Sequence, residues 1–175
     1  MPFAYYSRLT RSQQRIYRRS DEITTIPLPQ ATPLHPLVEE LAEALKHEDR
    51  RRIEAVSQDL TSALTTRLKV PPVQVEVLAA RPSKDWGELH GLYTPAEGRT
   101  AAHIALWMRT AKHRRVVAFR TFLRTLLHEL CHHLDYELLD LEESFHTEGF
   151  YKRESKLFHQ LVPNRPHHDP LATQG

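Results

Sequence analysis

Residues 126–135 read Leu-Leu-His-Glu-Leu-Cys-His-His-Leu-Asp and contain the pattern H-E-x-x-H. If this segment is helical, His128 and His132 lie at positions i and i+4, on one face of the helix. Two imidazoles so placed can bind one zinc ion, and Glu129 can act as general base toward a metal-activated water. The pattern is short enough to occur by chance, so its interpretation depends on the surrounding sequence.

The flanking residues favour an amphipathic helix over residues 116–137, because apolar side chains recur at helical spacing on one face. These apolar positions are Phe119, Leu123, Leu126, Leu127, Leu130 and Leu134. The opposite face carries Thr121, Thr125, His128, His132 and Asp135. A helix with two unrelated surface histidines is therefore the weaker interpretation. Cys131 lies off the ligand spacing and is interpreted as a small buried hydrophobic residue, whereas His133 is expected in a supporting or surface position.

Composition and charge limit the class of protein. The chain has 175 residues, of which 40% are hydrophobic, and this suggests one domain with a flanking arm. The net charge of +2 decides little, but residues 98–128 contain seven Lys or Arg and no acidic residue. Such a segment could steer an anionic substrate or weakly bind nucleic acid, although solvated helix faces explain it more simply.

Cys131 is the single cysteine, so the chain cannot form an intramolecular disulfide. This fits a reducing compartment. The sequence also lacks an apolar run of transmembrane length and an apolar signal-peptide segment near the N-terminus. We therefore expect a cytoplasmic protein without a membrane partner.

Residues 1–35 are predicted to form a basic N-terminal arm and a Pro-rich connector. The first 20 residues contain five arginines and no acidic residue. They could form an arm that binds nucleic acid or an acidic protein, or a peripheral helix that packs through its aromatic residues. Four prolines between residues 27 and 36 favour an extended connector.

Residues 36–162 are predicted to form the folded domain, and residues 163–175 a disordered tail. Helices are expected at residues 36–46, at 49–68 with Asp49 as N-cap, at 116–137 and at 146–161. Val73, Val75 and Val77 alternate with polar residues and indicate a strand. Two further strands are expected at residues 88–93 and 102–108.

A catalytic zinc usually has three protein ligands and one water, so a third ligand is needed. The expected last helix has an inward stripe, and both His146 and Glu154 lie on it. His146 follows shortly after an acidic connection that could return it to the motif, whereas Glu154 would complete a His-His-Glu site. If Glu154 is not a ligand, it could accept a hydrogen bond from a ligating imidazole. Asp135 competes for that position, and either carboxylate could instead form an ordinary salt bridge, for example to Arg153 or Arg124.

These residues resemble the SprT-like zinc metallopeptidases, in which H-E-x-x-H is followed by a loop and a third histidine in an H-x-x-x-F pattern. His128, Glu129, His132, His146 and Phe150 match this pattern in order. The resemblance covers about residues 70–160 and implies a zincin-like fold, with His146 as third zinc ligand and Glu129 as catalytic base. The chain lacks the cysteine pairs of the C-terminal zinc ribbon that the family often carries.

We therefore expect an α+β domain in which a small antiparallel or mixed three-stranded sheet packs against the H-E-x-x-H helix. The expected function is Zn²⁺-dependent hydrolysis of a protein or peptide substrate that lies extended along strand 102–108. The alternative is a non-catalytic zinc-stabilised module that recruits nucleic acid or a protein partner. Glu129 disfavours that alternative, because a structural zinc site needs no base.

Overall fold

The computed structural model describes residues 1–80 and 91–163. Within those ranges the chain forms an α+β domain with five α-helices and a three-stranded sheet. The helices are α1 (Arg11–Glu22), α2 (His35–Lys46), α3 (Arg50–Leu68), α4 (Phe119–Glu137) and α5 (Glu148–Leu161). The strands are β1 (Val73–Leu78), β2 (Gly91–Thr94) and β3 (Ala102–Trp107). The predicted strand residues 88–90 and tail residues 164–175 lie outside the described residues.

The sheet is mixed, which is one of the two arrangements expected. β3 lies in its centre, parallel to β1 and antiparallel to β2. Both edges of β3 are thus hydrogen-bonded within the sheet. The expectation that a substrate would extend along residues 102–108 is therefore wrong, because β-augmentation requires a free strand edge.

The two outer edges of the sheet differ. On β1, the N–H of Val75 donates to Oε1 of Gln58 at 2.8 Å, and the N–H of Val77 donates to Oε2 of Glu54 at 2.9 Å. Side chains of α3 therefore occupy the edge of β1. No other described strand pairs with the outer edge of β2.

The predicted helices before the sheet are confirmed to within a residue. The side chain of Asp49 accepts a hydrogen bond from the N–H of Arg52 and caps α3 as expected. One face of α3 is buried at Ile53, Val56, Leu60, Leu64 and Leu68. β1 alternates between buried and exposed residues, so the period-two prediction for the valines is also confirmed.

Helix α4 begins at Phe119, three residues later than predicted. Val116 instead forms an antiparallel bridge with Arg109, and the N–H of Val117 donates to the carbonyl of Met108 at 2.8 Å. These β-branched residues extend the pairing at the end of β3, so the helix begins only after them. Its apolar stripe is fully buried at Leu123, Leu126, Leu127, Leu130 and Leu134. Asp135, which was expected on the opposite face, is buried too.

The N-terminal residues pack on the domain. In α1, Ile16 and Tyr17 are buried, and the helix contacts α5. Of the two alternatives for the first 20 residues, the structure therefore shows the peripheral helix packed through its aromatic residues. The connector contributes Ile26 and Leu28 to the core. In the described part of the chain, no helix is both long and apolar enough to cross a membrane.

Candidate metal centre

Three histidine side chains converge at one point. Ring nitrogens of His128, His132 and His146 all lie within 4.8 Å of one another. Nε2 of His146 is 3.0 Å from Nε2 of His128 and 3.0 Å from Nε2 of His132. These residues are therefore close enough to bind one metal ion.

The third histidine lies outside the last helix, which corrects the prediction that this helix begins at residue 146. The side chain of Thr147 accepts a hydrogen bond from the N–H of Phe150 at 2.9 Å, so Thr147 is the N-cap and α5 begins at Glu148. His146 thus belongs to the loop between α4 and α5, residues 138–147, whereas His128 and His132 project from α4.

The hydrogen bonds at Nδ1 define the tautomers of the two α4 histidines. Nδ1 of His128 is 2.7 Å from Oε1 of Glu154, and an ionised carboxylate only accepts, so this Nδ1 carries the proton. Nδ1 of His132 is 2.7 Å from Oγ of Ser144, whose own proton is donated to Oδ2 of Asp135 at 2.7 Å. Nδ1 of His132 must therefore donate as well. In its neutral form each ring therefore presents a lone pair at Nε2.

The electrostatics also suit a metal ion. Burial, together with His128 and His146, lowers the pKa of His132 to about 3, and partial desolvation lowers the pKa of His146, the most exposed of the three. Neutral imidazoles are the form that binds metal. Nε2 of His146 has at most one proton and cannot donate to both neighbours, so lone pairs face each other unless a cation lies between them.

The two carboxylates expected near the site have different positions. Glu154 contacts Nδ1 of His128, on the side of the ring away from the convergence point, so it orients a candidate ligand and is not one of the three converging residues. Asp135 reaches His132 through Ser144. Its other oxygen accepts from Nη2 of Arg153 at 2.9 Å, and both side chains of this salt bridge are 0% exposed.

Glu129 lies beside the histidines in a cavity of about 220 Å³. Burial raises the pKa of Glu129, although His128 and the backbone N–H of Tyr93 oppose that shift. A carboxyl group with a raised pKa is a stronger base than an exposed one. The cavity is also lined by Gly91, Leu92 and Tyr93, so β2 borders it.

Tyr93 and His133 connect β2 to the metal centre. His133 is fully buried, which excludes the predicted surface position. Its Nε2 is 2.7 Å from the carbonyl oxygen of Pro71, so its Nδ1 accepts from the hydroxyl of Tyr93 at 2.9 Å. The ring of Tyr93 in turn stacks on His132 with an interplanar angle of 17°. His133 thus contacts the candidate ligand His132 indirectly, through Tyr93.

Tyr93 and Ser144 were not predicted near the site, and Arg153 was predicted only as an ordinary salt-bridge partner, which it is for Asp135. Arg153 had a detectable signal, because it follows Phe150 by three residues on the inward stripe of α5 and a charge there needs a partner. Ser144 and Tyr93 had none, since a loop serine and a strand tyrosine are ordinary in isolation.

The chain was compared with protein-family models, curated proteins and solved structures, and none of these comparisons found a match. The chemistry of the site is therefore inferred from the side chains themselves. They combine convergent imidazole lone pairs with a buried carboxyl group in one cavity.

Proposed function

We propose that the protein is a zinc metallopeptidase with a zincin-like, SprT-like catalytic domain. The observation that supports this most directly is the convergence of three imidazoles next to the buried carboxyl group of Glu129. A site that only stabilised the fold would gain nothing from a buried carboxyl group that is not a ligand.

Zinc is the metal that this donor set fits best. Three imidazoles with an open fourth position are typical of catalytic zinc sites. The hydrogen bonds at Nδ1 of His128 and His132 orient both rings and increase the basicity of Nε2. When bound, zinc would lower the pKa of a water molecule and polarise the scissile carbonyl.

Glu129 then has the central role among the residues of the chain. It accepts the proton of the attacking water and delivers that proton to the leaving amine. The backbone N–H of Tyr93 favours the ionised form of this carboxylate and so opposes the effect of burial. Glu154, Ser144 and Asp135 keep the imidazoles in the orientation that this chemistry requires.

A protein or peptide substrate would lie extended along the outer edge of β2. This edge borders the cavity that contains Glu129, and Leu92 on β2 is 51% exposed. Backbone hydrogen bonds to β2 would give affinity without sequence specificity, and contacts with exposed apolar side chains would add to it.

The test of this proposal is the variant Glu129→Gln, which keeps the shape of the side chain and removes its basicity. We expect it to fold and bind zinc normally but to lose activity by a factor on the order of 10²–10⁴. Cleavage of casein or self-cleavage of the zinc-loaded chain is the starting assay. Glu137→Gln, an exposed position on the same helix, is the matched control and should retain activity.

The alternative is a zinc-stabilised module that recruits nucleic acid or a protein partner without catalysis. The exposed arginines of α1, at positions 11, 15, 18 and 19, favour it. Equal activity or equal in-cell function of the wild type and Glu129→Gln would show that Glu129 takes no part in catalysis. That result would favour the non-catalytic module.

A further inference from the structure

The loop that carries His146 lies against residues 3–23, here called the N-terminal segment. The hydroxyl of Tyr5 donates to the backbone carbonyl of His146 at 2.7 Å. Tyr5 and His146 are 141 residues apart in sequence. This contact therefore joins the beginning of the chain directly to a candidate metal ligand.

The residues on both sides of His146 are held by the same segment. The ring of Phe145 packs against Tyr17 with a centroid distance of 6.2 Å. Oγ1 of Thr147 lies 3.1 Å from Oγ of Ser20, and both residues are fully buried. The N-terminal segment thus contacts three consecutive residues of the loop, with His146 in the middle.

The contact continues into the first turn of α5. The N–H of Gly149 donates to Oδ1 of Asp21 at 3.0 Å. A Cβ at position 149 would overlap the carbonyl oxygen of Asp21 and lie 2.6 Å from that of Ser20. Glycine at this position therefore permits the two backbones to approach closely, and the start of α5 packs directly against the end of α1.

The position of His146 depends on the N-terminal segment more than the positions of the other two histidines do. Nδ1 of His128 and Nδ1 of His132 are each held by a side chain. Among the described residues, no hydrogen-bond partner is found for Nδ1 of His146. The orientation of its ring therefore depends on packing against Phe150 and Tyr151 and on its backbone, which Tyr5 holds.

We propose that the N-terminal segment is a positioning element of the metal centre, in which Tyr5 holds the backbone of His146 so that its ring meets those of His128 and His132. The proposal rests on the metal centre of the proposed function and is independent of peptide hydrolysis. Linkage makes it reciprocal: if the segment strengthens metal binding, metal binding must stabilise the segment in its docked position.

The first test compares Tyr5→Phe with Tyr6→Phe in the full chain. Tyr6 is the matched control, because it lies on the same 3-10 turn and packs on Tyr17, but its hydroxyl pairs with Arg18. The affinity for Zn²⁺ is measured by competition with a chromophoric chelator. A hydrogen bond of ordinary net strength corresponds to roughly 2- to 10-fold in an equilibrium constant. We expect that loss in Tyr5→Phe and none in Tyr6→Phe.

The second readout reports on geometry. The absorption bands of the Co²⁺-substituted chain depend on ligand arrangement, so they should change in Tyr5→Phe and stay as in the wild type in Tyr6→Phe. Far-ultraviolet circular dichroism and the urea midpoint of the metal-free chain check that both variants are folded. A general loss of packing would move the urea midpoint without this selective spectral change.

The third readout tests the reciprocal effect. Trypsin cleavage after Arg8, which is exposed at the end of the 3-10 turn, should slow when Zn²⁺ is added. Cleavage after Arg114, exposed in a distant turn, is the internal control and should not change. We expect the zinc-dependent protection at Arg8 to diminish in Tyr5→Phe and to persist in Tyr6→Phe.

The outcomes separate this proposal from the proposed function. If the wild type binds Zn²⁺ but Tyr5→Phe matches it in affinity, Co²⁺ spectrum and protection at Arg8, the positioning role is wrong and the metal centre stands. Equal weakening in Tyr5→Phe and Tyr6→Phe also overturns it, since the effect would not belong to the contact with His146. A wild-type chain that binds no Zn²⁺ overturns both proposals.

Discussion

The two histidines on α4 and the third histidine on the loop at residues 138–147 are held in position by different kinds of contact. His128 and His132 project from a helix whose apolar face is fully buried and whose backbone is regular. His146 is exposed, precedes α5, and depends on contacts with residues more than 120 positions away. The comparison shows that a local pattern can position two candidate ligands, whereas the position of the third depends on contacts between segments that are far apart in the sequence.

Arg153 joins these two parts. Its guanidinium donates to the carbonyls of Ser20 and Ile23 near the end of α1 and to Asp135 on α4. Asp135 then reaches His132 through Ser144. The buried guanidinium of Arg153 thereby joins α5 and the N-terminal segment to the helix that carries His128 and His132.

The largest expected effect comes from Arg153→Met, which removes the contacts of the guanidinium with α1 and with Asp135. The change leaves the buried Asp135 without its counter-ion, and such losses destabilise proteins by about 3–5 kcal/mol. We expect this decrease in the free energy of unfolding, measured by urea denaturation at neutral pH. The control is Lys152→Met, which removes only a surface pair with Glu148 and should leave the midpoint nearly unchanged.

The pH dependence of the same variant follows from Asp135. Burial already raises its pKa, and Arg153 opposes the rise, so the pKa should increase further in Arg153→Met. A carboxyl group with a raised pKa in the folded state is less destabilising below that pKa, where it is neutral. The difference in stability between variant and wild type should therefore shrink as pH falls. A deficit that stays constant between neutral and acidic pH would contradict this origin.

The next effect concerns His146 itself. In His146→Ala the α4 pair remains, but one ligand is lost. Structural zinc sites bind with about 10–16 kcal/mol shared among four ligands, so the loss should weaken binding on the order of 10²–10³-fold. The stability of the metal-free chain should hardly change, because His146 is exposed. Zinc retention under mild chelation measures the effect, and His159→Ala, at an exposed position on α5, is the control.

Glu154→Ala completes that experiment. If His146→Ala retained zinc and Glu154→Ala lost it, the role of third ligand would pass to Glu154. In the structure, Glu154 instead contacts Nδ1 of His128. We therefore expect the weaker effect of an orienting residue, about 10- to 100-fold in affinity.

Much of the fold was predictable because it depends on local patterns. The period of the valines predicts β1, the i, i+4 spacing predicts the α4 pair, and Asp49 marks the start of α3. Pairing between strands was less accessible, because the central position of β3 depends on register and on the path of the chain between strands. For this reason the prediction that a substrate lies along residues 102–108 was wrong.

The supporting residues of the site were the least predictable part. Glu154 could be proposed because a carboxylate on an inward stripe requires a partner, and Asp135 because it follows His132 by three residues on the same helix face. That the contact from Asp135 runs through Ser144 depends on the path of a loop. The hydroxyl of Tyr5 donates to the backbone carbonyl of His146. Every residue has such a carbonyl, so the sequence at position 146 gives no sign of this contact.

The smallest expected effect comes from Gly91→Ala, which tests the contact between β2 and α4. A Cβ added at Gly91 would lie 2.9 Å from Cγ2 of Thr125 and 3.1 Å from Cγ of Glu129. Gly91→Ala should therefore displace β2 from α4 and cost about 1–3 kcal/mol, the usual range for overpacking. Activity should fall more than zinc affinity does, because the strand also borders Glu129 while the ligands lie on α4 and the loop.

Thr125→Ser provides the matched rescue of Gly91→Ala. It removes the methyl group that the new Cβ would approach most closely, and it keeps the hydroxyl that donates to the carbonyl of Thr121. The double variant should recover part of the stability and activity, whereas Thr125→Ser alone should have little effect. Urea midpoints and casein cleavage, measured at saturating zinc, give the two quantities. If Gly91→Ala lowered zinc affinity as much as activity, or if Thr125→Ser gave no recovery, close packing between β2 and α4 would not be what positions Glu129.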